Sequence, residues 1–568
     1  MEPASTAPPG APTRPAALDA ATLCEAFQAT AAERPDQVAL RTPGGGVEIT
    51  FAEYAERVRA IAAGLAALGV GRGDTVALML TNRPEFNLVD TAALHLGATP
   101  FSVYNTSSPE QIAHLLGNAA SRVAVCERAF LGAIASAAAP RLEHLVLVDG
   151  DEEGTMSLAD LEARGEDGFD LAAAGRAVEP GDVATLIYTS GTTGPPKGVQ
   201  LTHHNVMEEC RSIAAVMPTE PGGRITSYLP SAHVADRVVC YAYPSLVHGF
   251  TVTSVADPRR IAAALPEVRP TAWGSVPRVW EKLKAALESG GVIDPAPLPE
   301  EAKAAVRAKL GLDQATWLVS GAAPIPVEVL EYFDGLGLPI CELWGMSELS
   351  CVATINPPED IRIGTVGKPL PGVELRLLDD GELLVRSPIV MAGYRGQPEK
   401  TAETIDPDGW LSTGDIAEID DDGYVRIVDR KKELIINAAG KNMSPANIEQ
   451  RLKSSSPLIG QAICIGDARP YNVALLVLDP DACAKWASEH GLADAAPSTI
   501  RAHEAAGAEI ARGVEAANGH LSRVEQIKRF AVLPVDWEPG GDELTPTMKL
   551  KRRPIHDKYA ADIEELYA

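Results

Sequence analysis

Between residues 18 and 428 the chain alternates short, apolar, β-prone runs with Ala/Leu-rich stretches of helical character. That alternation limits its fold more than any other feature. Strand-type runs include residues 75–80 (TVALML), 123–126 (VAVC), 145–148 (LVLV) and 185–188 (TLIY), and residues 54–68 carry apolar side chains at helical spacing. Strands that alternate with helices feed a largely parallel sheet covered by helices, so an α/β architecture is expected. From 374 to 428 the texture changes. Short runs at 375–378, 383–385 and 424–428 alternate with Asp/Gly turns at 379–381 and 420–423, which suits a smaller antiparallel sheet or barrel. The charged junction DRKKE (429–433) follows, and the remainder is long enough for a compact domain of its own.

At 568 residues the chain exceeds one ordinary hydrophobic core. The expected division is a disordered Pro/Ala tail at 1–17, an N-terminal domain at 18–430 containing the β-rich subdomain 374–428, and a smaller C-terminal domain at 431–568. No internal repeat at solenoid spacing is visible.

Composition removes several function classes. A net charge of −27 repels a phosphate backbone, so no nucleic-acid partner is expected. It also weakens attachment to anionic lipid, leaving at most a weak peripheral membrane contact. No run of eighteen apolar residues is present, so no transmembrane segment is expected. The Ala-rich stretch 129–139, stopped by Pro140, reads as a buried helix. The N-terminus (MEPASTAPPGAPTRPAA) lacks a basic region followed by an apolar one and does not read as a secretory signal. Eight cysteines with no C-x-x-C pair suit a reducing cytoplasm, with neither a zinc site nor a disulfide framework.

The chemistry concentrates in TSGTTGPPKG (189–198), directly after an apolar run. Gly191, Gly194 and Gly198 let backbone N–H groups approach a ligand closely. Thr189, Ser190, Thr192 and Thr193 add hydroxyl donors, and Lys197 adds a cation. Donors plus a cation on a glycine-rich loop are what a polyphosphate requires. A Walker A loop is excluded, because Lys197 is followed by Gly198, and neither Lys368 nor Lys441 is followed by Ser or Thr. A G-x-G-x-x-G dinucleotide fingerprint and a G-x-S-x-G elbow are also missing.

With its flanks, YTSGTTGPPKGVQLTHHN resembles the signature phosphate loop of the adenylate-forming superfamily, which includes acyl-CoA synthetases, peptide-synthetase adenylation domains and beetle luciferases. Further segments agree in the family's order, and together they span nearly the whole chain. ELWGMSE (342–348) resembles the family's Y-G-x-[ST]-E. The resemblance puts Glu342, Leu343, Trp344, Gly345, Met346 and Ser347 at the nucleotide, with Trp344 in place of the usual tyrosine beside adenine. It also makes Glu348 the Mg²⁺ ligand, with Thr189 as a second oxygen near the metal. SGAAP (320–324) resembles the segment lining the adenine and acyl pockets, through Gly321, Ala322 and Ala323. STGD (412–415) implies that Asp415 accepts from both ribose hydroxyls, as a carboxylate can.

DGYVRIVDRKKELI (422–435) resembles the hinge motif. It implies Ile427 near the nucleotide, Arg430 at ribose or phosphate and Lys432 as the hinge residue. Asp429 stands where many members carry Gly. LTPTMKLKR (544–552) resembles the catalytic-lysine motif and implies Lys549, with Met548 where many relatives carry Gly. NAAGKNMSPANIE (437–449) implies a pantetheine path at Gly440, Lys441, Ser444 and Pro445; Ala439 departs from the usual G-G. His233, in SYLPSAHVADR (227–237), lies where the family has a residue near the acyl carboxylate. His203 and His204 read as surface residues at a helix start.

The resemblance implies a large N-terminal domain of mixed, mostly parallel sheets with a small β-barrel-like subdomain, and a small, mobile α+β C-terminal domain. It implies an AMP-forming acid–thiol ligase using ATP, Mg²⁺ and CoA. The segments at 105–116, 227–237 and 273–283 look most like long-chain fatty acyl-CoA synthetases, including the bubblegum type. The expected reaction makes an acyl-adenylate and pyrophosphate, then acyl-CoA and AMP. The alternative is a pathway-specific carboxylate delivered to a carrier protein or a nitrogen nucleophile. A monomer or a homodimer fits.

Overall fold

The computed structural model describes residues 13–166, 168–189, 195–436, 442–545 and 548–568. Ser190, Gly191, Thr192, Thr193, Gly194, Gly440 and Lys441 of the expected site lie outside the described residues. The chain divides into two compact units. One comprises Met1–Leu375, Val385–Leu411 and Ile419–Val425; the other comprises Arg376–Leu384, Ser412–Glu418 and Arg426–Ala568.

In the first unit the runs read as strands are strands. Thr75–Met79 is buried at every position, as a strand covered on both faces must be. It lies between Thr99–Ser102 and Val123–Cys126 in a five-stranded, all-parallel sheet that continues through His144–Leu147 and Met156–Ser157. A second five-stranded sheet pairs Ala272–Ser275, Trp317–Ser320 and Ile340–Trp344 in parallel, then turns antiparallel through Thr354–Ile355 and Lys368–Pro369. The helix read at 54–68 runs Phe51–Ala67. Thr50 and Glu53 close a capping box at its start, which satisfies two otherwise orphaned backbone N–H groups.

Two expectations are corrected. Arg128–Ser136 is a helix, but only Ile134 within it is buried. Its alanines are too small to demand burial, so it packs along one stripe. His203 is not a surface residue. It is fully buried, and its Nδ1 accepts the Leu23 N–H at 3.2 Å, whereas His204 is exposed. The first residue of a helix faces inward when the preceding strand delivers it to the core, and here Lys197–Thr202 runs straight into His203–Val216. At the N-terminus, Ala16–Asp19 forms a short 3-10 turn with Ala17 and Leu18 buried, so the chain is packed from there on.

The strands Glu374–Leu377, Glu382–Arg386, Leu411–Ile419 and Val425–Arg430 form a four-stranded sheet in that order. The second unit holds the sheet Ile459–Ile465, Asn472–Leu478 and Ile527–Val532. Its central strand is antiparallel to the first and parallel to the last. Helices Pro445–Ser455 and Glu504–Gly519 bury Ile448, Leu452, Ile510 and Val514 in one apolar cluster with this sheet. The unit is therefore α+β. All eight cysteines are buried free thiols, and among the described residues no helix is long and apolar enough to cross a membrane.

Candidate active site

In the first unit the site is organised by a three-stranded sheet with Lys197–Thr202 at its centre. On one side Val183–Thr189 pairs antiparallel with it, setting Thr189 opposite Lys197. On the other side lies Gly393–Tyr394, with Gly393 opposite Gln200 and Tyr394 opposite Val199. Thr189 and Lys197 thus stand at the two strand ends from which the phosphate-loop segment leaves and returns.

Glu348 lies in the 3-10 turn Ser347–Leu349 and is 7% exposed. Its Oε1 accepts the Tyr394 hydroxyl proton at 2.9 Å. The Lys197 ammonium sits 3.9 Å from the centroid of the same tyrosine ring. Burial, together with the Glu348 carboxylate, holds the Tyr394 phenol well above its ordinary pKa, so it remains a donor. The structure therefore brings Lys197 and Glu348 to one side chain. The sequence reading overlooked Tyr394; its signal was an aromatic residue between Gly393 and Gly396 in a short strand.

The ELWGMSE segment begins as the strand Ile340–Trp344. Glu342 is buried, accepts the Gly364 N–H at 3.1 Å, and is pushed up to about 7 by burial. Trp344 is 9% exposed. A side chain at Gly345 would put its Cβ 1.8 Å from the Cys351 carbonyl oxygen, so only glycine lets the chain fold back here. Gly321 follows the strand Trp317–Ser320, and a Cβ there would meet Leu343 at 2.5 Å. Ala322 has φ +69°, in the left-handed region. Met346 and Ala323 lie in the loops beside these contacts, and Ser347 opens the 3-10 turn that carries Glu348. Next to them is an apolar cavity lined by Ile213, Met217, Val239, Tyr243, Trp317, Val319, Leu343, Val352, Ile355 and Leu370. Leu343 belongs to both the cavity wall and the ELWGMSE segment.

His233 is half-buried and its Nδ1 accepts the Ala235 N–H at 3.2 Å, which puts the neutral ring's proton on Nε2. Asp236 lies three residues on, fully buried, at the start of the π-helix Asp236–Val247. Its carboxylate accepts from Ser227 Oγ at 3.0 Å and from Ser231 Oγ at 3.2 Å, which fixes the turn carrying His233. Burial raises its pKa to about 7, against the lowering effect of those hydroxyls. Sequence reading passed over it because a buried acid and an exposed one look alike in a string of letters.

The second unit holds the remaining residues. Asp415 is 2% exposed, and its Oδ1 meets Arg430 Nε at 2.7 Å. Ile427 lies on the same strand as Arg430, Val425–Arg430. Asp429 accepts from Ser444 Oγ at 2.5 Å and from the Ala446 N–H at 3.2 Å. Ser444 caps the helix Pro445–Ser455, with Pro445 at its first position. Lys432 is exposed in a turn. Lys549 is exposed, and its N–H donates to Thr545 Oγ1 at 3.0 Å. Met548 has φ +66°, a conformation glycine adopts without strain. Three residues on from Lys549, Arg552 forks onto Glu449 at 2.6 and 2.8 Å and reaches Glu433 at 3.0 Å.

Residues 27–395 match the family "AMP-binding enzyme", and 432–568 match "AMP-binding enzyme C-terminal domain". The chain is 54% identical over 452 residues to the putative fatty-acid–CoA ligase fadD11 of Mycobacterium tuberculosis, covering 73% of this chain and 79% of that one. It is 37% identical to the long-chain-fatty-acid–CoA ligase FadD15 of Mycobacterium bovis, covering 94% and 95% of the two chains. It is 31% identical to the long-chain-fatty-acid–CoA ligase ACSBG2 of Gallus gallus, covering 96% and 81%. The fold matches the anthranilate CoA ligase AuaEII in complex with anthranoyl-AMP, with TM-score 0.78, 22% identity and coverage of 95% and 98%. It also matches the A-PCP didomain of the carboxylic acid reductase from Segniliparus rugosus, with TM-score 0.79, 21% identity and coverage of 98% and 84%. The chain belongs to the AMP-binding enzyme family, within the adenylate-forming superfamily.

Proposed function

We propose that the protein is a long-chain fatty acid:CoA ligase acting in the cytoplasm, converting ATP, a fatty acid and CoA to acyl-CoA, AMP and pyrophosphate. Curated relatives matching 73% to 96% of the chain are named fatty-acid–CoA ligases, which supports the adenylate-forming acyl-CoA ligase reading. The observation that carries it here is the convergence of Lys197 and Glu348 on Tyr394.

A fatty acid cannot be attacked directly by a thiol, because its leaving group would be oxide. Its carboxylate instead attacks the α-phosphorus of ATP and expels pyrophosphate. The thiol then attacks the acyl-adenylate and expels AMP. No base is needed in the first step, since the acid is already ionised at neutral pH. Catalysis is positioning plus charge stabilisation. In this reading Lys197 and the loop donors 189–194 hold the β- and γ-phosphates, and Lys549 bridges the incoming carboxylate and the α-phosphate or ribose. His233 stands near the acyl carboxylate. Asp415 takes the ribose hydroxyls, and Arg430 assists at ribose or phosphate. Gly321, Ala322, Ala323 and residues 342–347 line the adenine.

The carboxylate of Glu348 and the hydroxyl of Thr189 are hard oxygen donors of the kind Mg²⁺ takes. When bound, the ion would neutralise phosphate charge. Two functional domains would meet near residue 430. The second would turn about Lys432 to exchange Lys549 for the thiol path past Gly440, Lys441, Ser444 and Pro445.

The test is acid-dependent AMP formation, with and without CoA, across fatty acids of increasing length and a few aromatic acids. A CoA-dependent rise with a long-chain optimum is expected. Acid-dependent pyrophosphate release with no acyl-CoA would replace CoA with another acceptor. A short-chain or aromatic optimum would replace the acid.

A further inference from the structure

We propose that Tyr394 is a positioning residue of the nucleotide site: its hydroxyl orients the Glu348 carboxylate toward a divalent cation, while its ring seats the Lys197 ammonium. The proposal rests on the reading above, in which Glu348 meets the metal and Lys197 the phosphates.

The geometry is specific. A phenol has a single proton to donate, and here it goes to Glu348 Oε1 at 2.9 Å. That bond restrains the rotation of the carboxyl group, and among the described residues its second oxygen accepts no hydrogen bond. Lys197 Nζ is 3.9 Å from the ring centroid, at the face where the aromatic quadrupole attracts a cation. The Tyr394 side chain is 5% exposed, so both contacts operate with little competing water.

The backbone ties the same three partners together. The Met391 N–H donates to the Glu348 carbonyl at 2.9 Å, and the Arg395 N–H donates to the Gly198 carbonyl at 2.8 Å. Tyr394 itself lies opposite Val199, and its N–H donates to Thr401 Oγ1 at 2.9 Å. Gly393 has φ +142°, and a Cβ there would meet the Thr401 side chain at 2.8 Å, so glycine is the residue that fits beside the tyrosine. A tyrosine kept only for packing would need neither the hydroxyl contact nor the cation on its face.

Two substitutions separate the functions of hydroxyl and ring. Tyr394→Phe keeps the ring and loses the proton; Tyr394→Leu loses both while remaining apolar and bulky. Full-length protein is titrated with Mn²⁺ at fixed ATP by electron paramagnetic resonance, and ATP binding in EDTA is measured by calorimetry. Glu348→Gln runs alongside. Tyr394→Phe should weaken Mn²⁺ binding about five- to tenfold, the loss of one hydrogen bond to a charged group. Metal-free ATP binding should stay within about twofold in that variant. Tyr394→Leu should also weaken metal-free ATP binding roughly threefold, because Lys197 loses its seat. If Tyr394→Phe binds Mn²⁺ like the parent while Glu348→Gln does not, the proposal is overturned and the metal reading stands. If Glu348→Gln also binds Mn²⁺ like the parent, the metal reading fails and takes the proposal with it.

Discussion

Arg430 Nε and Asp415 Oδ1 stand 2.7 Å apart, with the carboxylate buried and the guanidinium about half exposed. The asymmetry sets the order of effects on ATP. A buried carboxylate is held by its surroundings and presents a fixed acceptor, whereas a half-exposed cation is screened by water. Asp415→Ala should raise the KM for ATP by about tenfold or more, the value of one or two charge-assisted hydrogen bonds. Arg430→Ala should raise it less. ATP–pyrophosphate exchange at varied ATP checks the order, and an equal effect of both substitutions would contradict it.

Lys549 and Lys432 should divide the two half-reactions. Lys549→Ala should lower adenylate formation on the order of 10²- to 10³-fold, as loss of a preorganised charge contact does. It should leave thiolation of a supplied acyl-adenylate nearly intact. Lys432→Pro should reverse the pattern, because proline restricts the backbone rotation that the hinge reading assigns there. Intact pyrophosphate exchange in Lys549→Ala would remove that residue from the chemistry.

Glu449 and Arg552 form a buried fork, the carboxylate 6% and the guanidinium 19% exposed at the side chain. Glu449→Ala leaves a buried cation without its main partner. A loss of about 3–5 kcal/mol is expected for the second unit. Scanning calorimetry of full-length protein should register it as a lower melting temperature. A change within about 1 kcal/mol would mean that water or Glu433 replaces Glu449 without penalty.

Asp236 ties stability to pH. Burial raises its pKa from the ordinary 3.8 to about 7, so the folded state keeps its proton where the unfolded chain has lost it. The folded state binds more protons between those values, and Asp236 therefore makes stability fall as pH rises from about 4 to about 7, then level off. That span corresponds to roughly 4 kcal/mol. Asp236→Asn removes the titration, so its stability relative to the parent should climb across the same window and stay constant above it. Urea melts at pH 4.5, 6 and 8 would show this, and a pH-independent difference would refute it.

Much of the fold was legible in the chain. The runs at 75–80, 123–126 and 185–188 became strands within a residue or two, because apolar periodicity and β-branched content act locally. The motif residues were also legible, since a phosphate loop needs glycines, hydroxyls and a lysine next to one another. Burial was less so. His203 and His204 are neighbours of one type, yet one is fully buried and the other exposed, and the helix direction that separates them is set by the strand preceding it.

The sequence by itself determined which elements form, their order along the chain, and the chemical kinds of side chain available for a nucleotide, because those follow from spacing and composition over a few residues. Only the tertiary structure decided that Tyr394 stands between Lys197 and Glu348, that Asp236 braces the turn of His233, and that Arg552 anchors Glu449. Each joins segments distant along the chain or settles a burial, and both depend on strand register and core packing, to which every part of a unit contributes.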